Sequence, residues 1–115
     1  MTTQNWLQLA AALLLAFFIF RGFFGKSSSE DARALVAKGA RLVDVRSPGE
    51  FAGGHLPDAV NIPVDEIARR ADEIGPRDGG VVVYCASGVR SASAAGTLRK
   101  LGFNPVADLG AMSRW

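Results

Sequence analysis

The chain holds one cysteine and one histidine in 115 residues. A lone cysteine excludes an internal disulfide and a Cys-rich metal site, and a free thiol suits a reducing compartment better than an oxidising one. Net charge is nearly absent too: thirteen Lys and Arg face eleven Asp and Glu, for a formal +2. Arg21 and Lys26 account for that whole excess, because from Ser27 onward basic and acidic residues number eleven each. A basic balance confined to two residues is no footprint for nucleic acid, and none is expected as a partner. Internal repeats are also missing, and the length has room for one domain.

What is present is uneven. Leu9 to Phe20 is an unbroken run of twelve apolar residues inside a nearly apolar stretch from Leu7 to Phe24. As a helix, residues 7–24 would span about 27 Å, against a hydrocarbon core of roughly 30 Å. No Lys or Arg precedes the run, and "RGFFGKSSSE" offers no convincing cleavage site, which disfavours a secretory signal. A buried core helix would be amphipathic, whereas this segment is apolar on all faces. The expectation is a single transmembrane anchor over residues 1–26, followed by a domain over 27–115. Arg21 and Lys26 follow the segment and favour a cytoplasmic C-terminal side. A cleaved segment remains the alternative.

Beyond the linker "GKSSSED" the pattern alternates. Ser29 is the expected N-cap of a helix through "DARALVAKG", which Gly39 ends. "RLVDV", "VNIP", "VVVYC" and "PVADL" read as strands. Gly49 to Ala52 can form one helical turn, "VDEIARRADEIG" has helical apolar spacing, and "RSASAAGTLRKLG" is a helix stopped by Gly102. Strands alternating with helices predict an α/β domain with a mainly parallel sheet. "GAMSRW" is a closing turn, with Trp115 expected against the sheet edge.

The single cysteine, Cys85, ends the most apolar of these strands and directly precedes a helix. Ligand sites in open α/β sheets lie beyond the carboxyl ends of the strands. In "CASGVR" the small residues Ala86 and Ser87, with Gly88 free to take unusual backbone angles, allow a loop whose N–H groups point inward as an anion nest. The following helix adds its positive end and Arg90 a full charge, and all three favour thiolate over thiol. A thiolate so cradled is a nucleophile that needs no separate base. Taken alone, the cysteine is equally consistent with an inert buried thiol. The surrounding loop favours the nucleophile.

"YCASGVRSASAAGTLRKLGF" resembles the active-site loop and following helix of the rhodanese family of sulfurtransferases. "LVDVRSPGEFAGGHLPDAVNIP" resembles its upstream signature and "VADLGAMSRW" its closing segment, so the likeness covers nearly all of Leu42 to Trp115. The resemblance implies an open, mainly parallel sheet of four to five strands flanked by helices. It implies that Cys85 takes a sulfane sulfur from a donor such as thiosulfate as a persulfide and yields it to cyanide or a thiol. The loop residues Ala86, Ser87, Gly88, Val89 and Arg90 would bind the donor and stabilise anionic sulfur. No metal or cofactor is implied, and a protein can serve as donor or acceptor. Related phosphatases place five residues between Cys and Arg, where this chain has only the four from Ala86 to Val89. A persulfide carrier, or a tethered interaction module that keeps the fold without turnover, is the rival from another class.

Asp44 and Arg46 are expected to hold loops together, with Arg46 paired to Glu50, and His55 to stabilise its loop. Ser87 and Ser91 are candidate hydrogen-bond donors to the sulfur. The family's usual glycines are replaced by Asp58 and Ala111. Because the linker runs straight into a helix, the sheet is expected to have four strands or a frayed fifth.

Overall fold

The computed structural model describes residues 26–115. The expected anchor over residues 7–24 therefore lies outside the described residues, and among those described no helix is long and apolar enough to cross a membrane.

Four parallel strands form the sheet. They are β1 (Arg41–Asp44), β2 (Val60–Asn61), β3 (Val81–Cys85) and β4 (Val106–Ala111), in the spatial order β2-β1-β3-β4. Helix α1 (Ser29–Ala37) precedes β1, the short α2 (Pro48–Ala52) follows it, and α4 (Val89–Lys100) links β3 to β4. A broken segment around α3 (Ile67–Arg70) leads from β2 to β3.

β3 explains the sheet's stability. Residues Val81 to Cys85 are all fully buried, so the run is apolar because neither face meets water. Each such Val contributes about 1.5–3 kcal/mol by burial. Val81, Val83 and Cys85 meet Ala94, Ala95 and Leu98 of α4, while Val82 and Tyr84 meet Ala32 and the partly buried Leu35 of α1. The two-residue period of the strand thus feeds two separate cores.

Two local expectations are corrected. Ser28, not Ser29, caps α1, accepting the Asp31 N–H at 3.1 Å. Ser29 is freed to donate to the Trp115 carbonyl at 2.9 Å, which ties the start of the domain to its end. The helix expected over "VDEIARRADEIG" is 3-10 at Val64–Glu66 and Ala71–Glu73, with only one α-turn between. A 3-10 turn brings residues three apart into line, which aims Val64 with Ile67, and Ala71 with Ile74, at the core.

Of the expected frayed fifth strand, the described residues show one backbone bond: Ser27 N donates to Asp108 O at 2.8 Å, at the outer edge of β4. β4 itself carries a bulge. Val83 faces Asp108, but Tyr84 faces Gly110, so Leu109 is the extra residue. Gly110 sits at φ +86°, and its N–H donates to Asp108 Oδ1 at 2.9 Å. Asp58 stands at φ +65°, the left-handed region a glycine would adopt freely and Asp tolerates.

Candidate active site

The chain runs from β1 outward to β2, then back across β1 to β3. The carboxyl ends of β1 and β3 therefore flank the point where the winding reverses, which is where open α/β sheets form their crevice. Two side-chain systems meet there, one from each strand.

From β3 comes Cys85, 0% exposed. The chain turns sharply after it, and Gly88 takes φ +102°, ψ −11° as the N-cap of α4. Only glycine adopts this left-handed geometry without strain. The turn folds the chain back over the sulfur. Gly88 N donates to Cys85 Sγ at 3.0 Å, and Ser91 N, in the first turn of α4, at 3.4 Å. The Ser91 hydroxyl donates to the Gly88 carbonyl at 3.1 Å and locks the turn from inside. Among the described residues, the amides of Ala86, Val89 and Arg90 donate to no protein group. They are the open positions of the nest, as expected at a helix N-terminus.

Burial alone would push the Cys85 thiol up. The amide and hydroxyl of Ser91 and the amides of Gly88 and Ser87 outweigh it, so the pKa lies below the usual value. The groups that favour the thiolate are thus backbone N–H groups together with the Ser91 hydroxyl. Arg90 is turned to a different task.

From β1 come Asp44 and Arg46. Arg46 Nη2 reaches Asp44 Oδ2 at 2.7 Å and Nε reaches both carboxylate oxygens, at 3.1 and 3.0 Å. The expected Arg46–Glu50 pair is not formed, because Asp44 lies two residues away on the same chain and is fully buried with it. A buried guanidinium takes the partner whose desolvation cost is already shared. Arg46 also donates to Gly54 O at 2.7 Å, which fastens the loop after α2. Tyr84 accepts the Leu56 N–H on its hydroxyl at 3.1 Å, and burial pushes its phenol up to about 12.

Glu50 is thereby released to meet Arg90. Two bonds, Nη1 to Oε1 at 2.6 Å and Nη2 to Oε2 at 3.0 Å, join the loop after β1 to the loop after β3. Glu50 Oε1 also accepts the Ser47 N–H at 3.1 Å, while Ser47 Oγ accepts the Glu50 N–H at 3.2 Å, a reciprocal capping box. The Arg90 guanidinium, and after it the Ser47 amide, hold the Glu50 carboxyl down at about 2.

The loop residues named from sequence are thus brought together around the sulfur, but with unequal parts. Gly88 contacts Cys85, Ser87 aids the thiolate through its amide, and Ala86 and Ser87 stand exposed at the mouth. Val89 turns its side chain outward and is 76% exposed. Arg90 ends the loop and is bound chiefly to Glu50, with a weaker electrostatic pull from Cys85. His55 lies outside the site, its ring stacked on Phe51 at 3.7 Å and its Nδ1 3.0 Å from Phe51 O. Trp115 packs with α1, its ring under the Arg33 guanidinium. Sequence reasoning missed Glu50 as the partner of Arg90. The Ser47-x-x-Glu50 spacing directly after a strand is the signal that could have placed that carboxylate at a helix start.

Residues 28–115 match the rhodanese-like domain family. The chain is 37% identical over 103 residues to the uncharacterized protein YqhL of Bacillus subtilis, covering 89% of this chain and 81% of that one. It is 40% identical over 90 residues to a sulfurtransferase of Allochromatium vinosum, covering 77% and 83%. Its fold is similar to that of the human single-domain sulfurtransferase TSTD1, with a TM-score of 0.65, 30% identity, and coverage of 78% and 90%.

Proposed function

The chain belongs to the rhodanese-like domain family, and on that footing we propose that it is a sulfurtransferase whose nucleophile is Cys85. The observation that carries this reading is the sulfur held by the Gly88 and Ser91 amides, at the head of a loop whose Ala86, Val89 and Arg90 amides donate to no protein group. The Cys85 thiolate attacks the outer sulfur of thiosulfate, the S–S bond breaks, and sulfite leaves with the bonding pair. A persulfide, with its negative charge on the outer sulfur, then occupies the space the open amides face. A nucleophilic acceptor takes that sulfur, cyanide in vitro or a thiol in the cell, and the electron pair returns to Sγ. Neither step requires a proton from a protein acid or base. Because Cys85 is fully covered at rest, the loop must part to admit the donor.

The same proposal assigns residues 7–24 to a membrane anchor with the domain on the cytoplasmic side, supported by the apolar run and by Arg21 and Lys26 behind it. Resistance of the protein to alkaline extraction of membranes is the expected result, and full release would remove the assignment.

The test of the chemistry uses the full-length chain. Incubation with thiosulfate should add the mass of one sulfur to the wild type and nothing to Cys85→Ser, and cyanide should then release thiocyanate. Loading only from a protein persulfide, with negligible turnover of thiosulfate, would make the chain a carrier. No loading from any sulfane donor in the folded protein would refute the proposal.

A further inference from the structure

Lys26 lies just outside the family match, yet its side chain ends at the nucleophile loop. The Ser27 bond to Asp108 O fixes the backbone beside it, and Arg114 Nη2 donates to Ser27 O at 3.4 Å from the other side. From there the Lys26 side chain runs between two glycines. A methyl group placed on Gly110 would stand 3.1 Å from Lys26 Cδ and 3.3 Å from Cε. One placed on Gly88 would stand 2.6 Å from Nζ, 3.1 Å from Cε and 3.6 Å from Gly110 Cα. Both glycines have positive φ, so neither position favours a side chain, and the groove left between them is the one the lysine fills. Its ammonium comes to rest against the backbone of Gly88, the residue whose N–H donates to Cys85 Sγ.

The charges around the loop are divided accordingly. On the β1 side, Arg90 is paired with Glu50, so only part of its charge acts on the sulfur. On the β4 side, among the described residues, no carboxylate is within ion-pair distance of Lys26 or Arg114. Arg114 donates to the carbonyls of Leu109, at 2.8 Å, and Ser27. Asp108, the acid nearest Arg114 in sequence, is buried and has its carboxylate engaged by Gly110 N–H, and Glu30 and Asp31, the acids nearest Lys26 in sequence, make no ion pair with it. Beside Arg90, whose charge is shared between Glu50 and the sulfur, positive charge with no ion-pair partner among the described residues reaches the loop from Lys26 and Arg114.

We propose that Lys26 is a specificity-determining residue, which draws anionic sulfur donors of the thiosulfate type to Cys85 in preference to neutral ones. This rests on Cys85 being the nucleophile, and it gives the linker that joins the apolar segment to the domain a part in donor choice. A cation at the rim acts mainly on the rate of encounter, and its effect is screened by salt.

The test is the alkylation of Cys85 in the full-length chain by iodoacetate, an anion, and by iodoacetamide, its neutral counterpart. The ratio of the two rates cancels any change in thiolate population. Lys26→Ala should lower the iodoacetate to iodoacetamide ratio roughly fivefold at low salt, as one unit charge a few ångströms away in a watery setting predicts. Lys26→Arg should restore the ratio, and at about 1 M salt, where the screening length is roughly 3 Å, wild type and Lys26→Ala should converge. Thiosulfate loading should fall with the iodoacetate rate. An unchanged ratio overturns the proposal. So does an equal rise in both rates, which would make Lys26 a cover over the sulfur. Alkylation reports on the thiol whether or not sulfur is transferred, so a wild type that alkylates but never loads sulfur refutes the transferase reading and leaves the ratio to judge Lys26.

Discussion

Asp44→Asn is the substitution whose outcome is worked most directly from the structure. Asp44 has no exposed surface and Arg46 is 7% exposed. The carboxylate accepts three bonds from the guanidinium and a fourth from Arg46 N at 2.8 Å. Asparagine keeps the size but loses the charge, leaving a buried guanidinium with carbonyl partners only. Removing one partner of a buried pair costs about 3–5 kcal/mol. A small domain holds only about 5–15 kcal/mol in total, and each kcal/mol lowers the melting temperature by roughly 4–8 °C. A melting temperature lower by about 15 °C or more is expected, with a parallel fall in urea midpoint at unchanged slope. The double variant Asp44→Leu with Arg46→Met should regain most of that loss, since two apolar side chains leave no charge to desolvate. Because neither residue touches the sulfur, Cys85 alkylation in the folded fraction should change less than about threefold, well under the roughly 10²-fold loss of a removed catalytic donor. A stability loss under about 1 kcal/mol would refute the claim that this pair is the buried support of the loop after β1.

Three further predictions follow from the site. The rate of Cys85 alkylation by iodoacetamide should reach half its maximum below the pH of about 8.5 typical of a free thiol, because the amides of Ser91, Gly88 and Ser87 and the Ser91 hydroxyl hold the thiol pKa down; a midpoint at or above that value would refute the nest. Glu50 is depressed from 4.5 to about 2, so its stabilising effect is complete above its unfolded value and is lost as pH falls through the folded one. Acid unfolding of Glu50→Gln should accordingly lack the part of the wild-type slope between pH 4.5 and 2, which a pH series of urea melts would show. Gly88→Ala must hold alanine at φ +102° against Lys26 Nζ, at a cost of about 1–2 kcal/mol for the backbone; thiosulfate loading should fall more than stability does, as read by intact mass beside thermal melts.

Much of the fold was legible because its signals are local. "VVVYC" is apolar without alternation, and only a strand buried on both faces needs that; the residues after Cys85 are small and end in a glycine, as a tight strand-to-helix turn demands. Helix α4 and the four strands followed from such runs. The segment from Val64 to Ile74 did not, since its apolar spacing suits a helix, and only the sheet beneath it decides that 3-10 turns align Val64 with Ile67 and Ala71 with Ile74. Ser28 displaced Ser29 as the cap for a similar reason: with three serines in a row, the choice fell to the one whose neighbour could reach the Trp115 carbonyl 86 residues away.

The chemistry available is written locally in the chain: a single thiol at the carboxyl end of the central strand, a loop of four residues before an arginine, and a helix start behind it. Backbone geometry dictated by small residues is encoded within a few positions, so no distant partner had to be known. Where the charges went was settled by packing. Arg46 could have met Asp44 or Glu50, Arg90 could have faced a substrate or an acid, and Lys26 could have pointed anywhere. Long flexible side chains reach partners set by packing rather than by spacing. Burial drew Arg46 to Asp44, which left Glu50 for Arg90, and two glycines on different elements opened the groove that carries Lys26 to the loop.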